Sequence, residues 1–117
     1  MQVKAYVLAV VFCTMFGGAV RAESGIASVY GNGDGHAWSK TANGGRMNPN
    51  ALTAAHRSLP FGSRVRITNK KNGRTTIVRI SDRGPFVRGR IIDVTPAAAK
   101  VLGFSGLTPV SVDRLDG

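Results

Sequence analysis

Short alternating runs separated by turn formers set the pattern of this chain. The clearest is Arg64–Asn69 (RVRITN), with Val65 and Ile67 on one face and Arg64, Arg66 and Thr68 on the other, the period of a half-buried strand. Asn72-Gly73 follows, and both residues tolerate positive φ, so a hairpin turn is predicted there. Thr75–Ser81 (TTIVRIS) returns as the partner, with Val78 and Ile80 aligned. Upstream, Gly25–Tyr30 (GIASVY) has the β-branched and aromatic content of a short strand. Downstream, Ile91-Ile92 predict a short buried strand ending in Asp93, and Pro109–Leu115 a last one with Val110 and Val112 alternating. Helical signals occur once: Thr95 as N-cap, Pro96 at the first helical position, Ala97–Leu102 to propagate, Gly103 to close. Leu59-Pro60-Phe61-Gly62 and Asp82-Arg83-Gly84-Pro85 read as turns, and Leu52–His56 is too short to classify. Gly31–Arg46 is polar, without period, and carries glycines at 31, 33, 35, 44 and 45; a loop this long in a compact domain is usually functional or mobile. Six or so short strands and one short helix predict a mainly β fold, a small closed barrel, since closure removes exposed edges.

The N-terminal stretch has a different character. Lys4 precedes an uncharged, mostly apolar run from Ala5 to Val20, and Val20-Arg21-Ala22 offers small residues at the cleavage positions. This predicts a secretory signal peptide, residues 1–22, removed after Ala22, with the barrel domain in residues 23–117. The run is shorter than the roughly 20 residues of a spanning helix, and Gly17-Gly18 weakens it further, so no stable membrane anchor is expected. The expected location is periplasmic or secreted. The one cysteine, Cys13, leaves with the leader, so the domain uses neither a disulfide nor a Cys-based metal site. With only His36 and His56 besides, no metal or cofactor is expected.

The whole chain has 16 Lys and Arg against 6 Asp and Glu, a net charge of +10. Outside the cytoplasm such a charge points to cell-wall polymers, anionic lipid or acidic glycans. Nucleic acid is not expected, because aromatics do not interleave with the basic residues as a single-strand platform needs.

Few side chains are left to carry chemistry. Glu23, Asp113 and Asp116 lie near the ends, where fraying is expected. Asp82 opens a Gly-Pro turn between Arg79 and Arg83, where a carboxylate is held rigidly at a barrel mouth as a general acid/base, or simply caps the turn. Asp93 is expected to tie backbone donors before the helix. Asp34 is expected to be solvated unless its loop closes on a substrate. His56 could orient a carboxylate, bond a sugar hydroxyl, or be an internally satisfied histidine. Tyr30 and Trp38 are candidates for stacking on a sugar face, or for packing. No G-x-S-x-G, phosphate-cradling Gly-rich loop with Lys, or HExxH occurs, which excludes the usual esterase, NTPase and zincin chemistries.

GIASVYG, TANGG, LTAAHRSLPFGSRVRITN, NGR, VRISDRGPF and RIIDVTPAAAKVLG resemble successive blocks of the RlpA-like double-psi β-barrel family of bacterial envelope proteins, from about Gly25 to Leu115. The resemblance implies a six-stranded double-psi barrel with a substrate groove across its mouth. It also implies endolytic peptidoglycan transglycosylase activity, cleaving the β-1,4 bond between N-acetylmuramic acid and N-acetylglucosamine to leave 1,6-anhydro ends. Glycan strands would be the substrate, and cell-division or envelope proteins possible partners. The family's catalytic set is a Glu closing the TA-x-G-Glu block, the His of TAAH and the Asp of DRGP. The last two fall on His56 and Asp82, whereas the Glu position holds Gly45. Neither the lipid-anchoring Cys nor the C-terminal SPOR repeat common in the family is expected here. The reading is therefore an enzyme with Asp82 and His56 as catalytic residues and Tyr30, Trp38, Arg83 and Arg90 as substrate-binding ones. The alternative is a non-catalytic wall-binding or wall-loosening barrel, whose arginines 46, 57, 79, 83, 88 and 90 hold lactyl and stem-peptide carboxylates.

Overall fold

Six strands and one helix appear in a computed structural model that describes residues 22–115. Of the expected leader, all but Ala22 lies outside the described residues; Ala22 opens the first strand. The elements are β1 (Ala22–Val29), β2 (Thr53–Ala55), β3 (Arg64–Asn69), β4 (Thr75–Asp82), β5 (Arg90–Val94), α1 (Pro96–Leu102) and β6 (Thr108–Arg114). They close into a barrel in the order β1-β5-β2-β4-β3-β6. β1 runs parallel to β5 and β2 parallel to β4, while the other four pairings are antiparallel.

Alternation determines what each strand buries. In β3, Val65, Ile67 and Asn69 turn inward while Arg64 and Arg66 turn to solvent. In β4, Val78 and Ile80 do the same against exposed Ile77 and Arg79. With Ala27, Ala54, Ile92, Val94, Val110 and Val112 these residues form one core, almost wholly removed from water. Each fully buried Val or Ile contributes roughly 1.5–3 kcal/mol.

The helix carries the predicted caps. Thr95 Oγ1 accepts from Ala98 N at 3.3 Å, and Gly103 ends the helix at φ +77°, its N–H reaching back to Ala99 O. Ala98, Ala99 and Leu102 pack onto the barrel. Buried Asn69 donates to Leu102 O at 2.9 Å, fastening the helix end to the β3–β4 hairpin.

A second, smaller cluster joins Tyr30, Met47 and Ala55. It anchors the long loop after β1. Met47 is 1% exposed and fills the space beside Gly31; a Cβ built on Gly31 would fall 2.1 Å from Met47 Cε, and its φ of +83° also requires glycine. Met47 is thus one of the anchors of the stretch that composition marks only as a loop.

Candidate active site

Strand order brings two aspartates to either side of one alanine. β2 lies between β5 and β4, and Ala55 of β2 is in register with Asp82 of β4 and with Asp93 of β5. Two strand spacings put the aspartate backbones about 10 Å apart. Tyr30, the residue after β1, shares a small buried cluster with Ala55 and Met47, and its hydroxyl lies within electrostatic reach of both aspartates.

The Tyr30 hydroxyl is the unusual group. Tyr30 is 8% exposed, and its Oη is buried with no hydrogen-bond partner of normal geometry among the described residues. Burial, then the nearby charges of Asp82 and Asp93, push its phenol pKa far above the usual value, against a weaker pull from Ser81. The hydroxyl therefore keeps its proton. The ring itself is packed away, with His36 tilted against it at 5.8 Å, so of the two roles expected from sequence, stacking on a sugar or packing, the geometry is that of packing.

Tyr30, Ser28, Asp93, Arg90, Arg83 and Phe86 line a groove of about 400 Å³. Asp93 does not tie the start of the helix as expected; Thr95 does that work. Instead, Asp93 Oδ1 accepts the Ser28 hydroxyl, and its carboxyl faces the groove. Sequence reasoning underrated it. The available signal was its place at the end of the buried Ile91-Ile92 run, on a strand rather than in a cap.

Asp82 ends β4 and is half-buried. Its Oδ1 accepts two amides, Ala42 N and Arg83 N, both at 2.9 Å. No hydrogen bond reaches Oδ2 from the described residues. The Ala42 contact draws the Thr41–Gly45 turn onto Asp82, aided by Asn43 N donating to Ser81 O at 3.3 Å. Gly45 is exposed in that turn, and a Cβ there would meet nothing closer than Asn43 Oδ1 at 3.4 Å.

His56 is a buried, internally satisfied histidine. Its Nδ1 accepts Ser58 N and Leu59 N at 3.1 and 3.2 Å, which leaves the proton on Nε2 to reach Glu23 Oε1 at 2.9 Å. It meets Asp82 through the backbone only, His56 N donating to Asp82 O at 3.1 Å. Glu23 is the second residue underrated by sequence: it sits on the inward register of β1, opposite buried Val112, rather than fraying.

The remaining sites are also redistributed. The Arg83 guanidinium donates to His56 O (3.2 Å) and Leu59 O (2.8 Å) and lies 3.9 Å over the Phe61 ring, so it clamps its own chain rather than standing ready for a substrate carboxylate. Arg90 is half-buried in the groove wall. Trp38 is 56% exposed, outside the groove lining, at a φ of 64° that few non-glycine residues adopt. Asp34 is not a loose loop carboxylate. It accepts Gly31 N with both oxygens and His36 N at 2.9 Å. Burial is the largest single influence and raises the Asp34 carboxyl, but the amides of His36 and Gly31 and the electrostatic pull of His36 together outweigh it and hold the carboxyl below its usual range. This loop staple therefore persists above ordinary carboxylate titration and is lost only as the pH falls through the lowered value. Among the described residues, no cluster of His, Cys, Asp and Glu is arranged to hold a metal ion.

Comparison with known proteins agrees with this architecture. The Streptomyces papain inhibitor has the same fold, with a TM-score of 0.65 at 19% identity over 85% of this chain and 98% of that one. An expansin of Clavibacter michiganensis superposes with a TM-score of 0.63 at 21% identity, over 82% of this chain and 51% of that one. By sequence, a Nostoc protein named "Probable endolytic peptidoglycan transglycosylase RlpA" is 62% identical over 93 residues, 78% of this chain and 25% of that protein. A Rickettsia felis protein named "Endolytic peptidoglycan transglycosylase RlpA" is 49% identical over 96 residues, 80% of this chain and 42% of that protein. The chain thus spans between a quarter and about two fifths of these relatives. The family model described as "Lytic transglycolase" matches residues 22–113, and with it the closed six-stranded barrel identifies the chain as a member of the RlpA-like double-psi β-barrel family.

Proposed function

We propose that this protein is a peptidoglycan lytic transglycosylase, exported by a leader that is removed after Ala22. The observation that carries the reading is the pair of aspartates, Asp82 and Asp93, bracketing the protonated Tyr30 hydroxyl beside a groove. The names of the relatives supply the substrate class. In the reaction, Asp82 uses Oδ2 to give a proton to the bridging glycosidic oxygen as the C1–O bond breaks. The muramyl C6 hydroxyl attacks C1, and the same carboxylate takes its proton. A 1,6-anhydro ring closes, a new hydroxyl is left on the departing sugar, and the proton count returns to its start. Because the nucleophile belongs to the substrate, one carboxyl serves as acid and then as base, unlike the two-carboxylate hydrolytic schemes. The two amides on Oδ1 fix the direction of Oδ2. Tyr30 and Asp93 orient the sugars in the groove, and His56, locked by Glu23, holds the backbone next to Asp82.

Mass spectrometry of glycan strands digested by wild type, Asp82→Asn and Asp93→Asn tests this. Wild type is expected to release anhydro-ended fragments. Asp82→Asn is expected to lose at least a hundredfold in rate with folding unchanged, and Asp93→Asn less. Retention on sacculi with no new ends from wild type would overturn the reading and leave a glycan-binding barrel, the outcome that Gly45 at the family's Glu position favours. Full activity of Asp82→Asn with loss in Asp93→Asn would move the acid to Asp93.

A further inference from the structure

Neither Tyr30 nor Trp38 offers the groove a face on which a sugar can lie: the first is packed away and the second stands outside the lining. Another aromatic does line the groove. Phe86 is 78% exposed, more than any other large apolar side chain among the described residues, and Val87 beside it also lines the groove and is exposed. One exposed apolar residue on an open surface is ordinary, but an exposed ring that walls a groove beside a carboxylate is a recognition feature.

The position of the ring is fixed from both sides. Phe86 sits in the connection from β4 to β5, which leaves β4 at Asp82 and enters β5 at Arg90. At the far end, Gly89 O accepts Ile26 N at 3.0 Å and Arg90 N donates to Val87 O at 3.1 Å, which ties the connection to β1. At the near end, Asp82 Oδ1 accepts Arg83 N, and the His56 and Leu59 carbonyls hold the Arg83 guanidinium. Gly84 lies beside both the ring and the second aspartate. A Cβ built on it would fall 3.5 Å from Phe86 Cε2 and 4.0 Å from Asp93 Oδ2, and its φ of +122° also favours glycine. With no side chain at Gly84, the ring edge and the Asp93 carboxylate stand close together on the groove, while the other oxygen, Asp93 Oδ1, is occupied by Ser28.

An apolar ring next to a carboxylate suits a pyranose, which presents C–H groups on its faces and hydroxyls round its rim. The C–H groups pack on the ring while rim hydroxyls donate to the carboxylate. We infer that Phe86 is the saccharide-stacking residue of this groove and holds the sugar whose hydroxyls bond Asp93 Oδ2. The inference rests on the glycan-cleaving reading above and assigns a substrate-binding residue to it. Phe86 takes no part in proton transfer, so its contribution is to affinity.

Calorimetry with glycan strands freed of stem peptides tests this in the Asp82→Asn background, where cleavage does not deplete the strands. Adding Phe86→Ala is expected to weaken binding about tenfold. Phe86→Trp is expected to restore it, and Leu107→Ala, an exposed apolar residue outside the groove lining, to leave it unchanged. Because both positions are exposed, Tm is expected to stay the same in all three. With Asp82 intact, Phe86→Ala is expected to raise KM about tenfold while kcat changes less than about twofold, the mark of a contact made equally in ground and transition states. Trp38 is the only tryptophan of the chain. Trp38→Phe/Phe86→Trp therefore carries its one indole at the groove, and its emission is expected to shift to the blue as strands are added. Unchanged glycan affinity in Phe86→Ala would overturn the inference and leave the cleavage reading intact. If that variant instead lost flotation with phosphatidylglycerol vesicles, the ring would be a membrane contact and the inference would again be overturned. Failure of both wild type and Asp82→Asn to bind strands at all would be a failure of the cleavage reading itself, and the inference would fall with it.

Discussion

Single residues decide how far the proposed catalysis can go. Gly45 occupies the position where the family's glutamate is expected, yet nothing in its surroundings forbids a side chain there. Its turn is already bonded to Asp82 through Ala42. Gly45→Glu is therefore expected to fold normally and to raise the rate of anhydro-fragment release about tenfold or more, within the span general acid–base groups supply; timed digests of glycan strands would show it, and an unchanged rate would mean that Asp82 works without such a partner. Tyr30 gives a second, independent handle. Its raised pKa means that the folded state favours the neutral phenol, so its contribution to stability is intact below the ordinary value of 10.0 and declines as pH rises above it. The domain from Glu23 onward has Tyr30 as its only tyrosine. Tyrosinate absorbance in an alkaline titration should therefore lag well behind that of a free tyrosine and emerge together with unfolding. An ordinary titration curve in folded protein would show the hydroxyl to be solvated.

At the level of elements, the long loop owes its order to two fasteners rather than to regular structure. Asp34 ties its first turn to Gly31 and His36, and Met47 plugs it into the Tyr30–Ala55 cluster. Met47→Ala is expected to cost roughly 2–5 kcal/mol, the range for emptying a buried methionine site. Urea unfolding would register this as a lower midpoint at unchanged slope, and faster exchange of the Trp38 amide, which donates to Met47 O, would locate the damage. These fasteners explain why strands and loop differ in legibility. β3, β4, α1 and the Asn72-Gly73 turn are readable because alternation, caps and turn residues are local signals. The three-residue β2 is too short to show a period, and it takes its strand conformation from β4 and β5 on either side. The candidate site is legible only in part for the same reason. Asp82 and Tyr30 stand out by neighbourhood, but the partnership of Asp82 with Asp93 exists only through Ala55, and that of His56 with Glu23 joins residues 33 apart in sequence. Arg83 looks like a substrate ligand until the Leu59 carbonyl and the Phe61 ring claim it.

Over the whole molecule, the groove lined by Tyr30 and Asp93 and the arginine-rich outer face of the β3–β4 hairpin lie on different surfaces. The barrel's closure has a further consequence. β1 is seated between β5 and β6, and its register with β6 runs from Ala22 against Asp113 to Ala27 against Thr108. The first strand to emerge from a ribosome thus waits for the last before its second edge is covered, and loop-closure entropy must be met before that seam returns any energy. A barrel of this topology cannot close its last seam until β6 has been made.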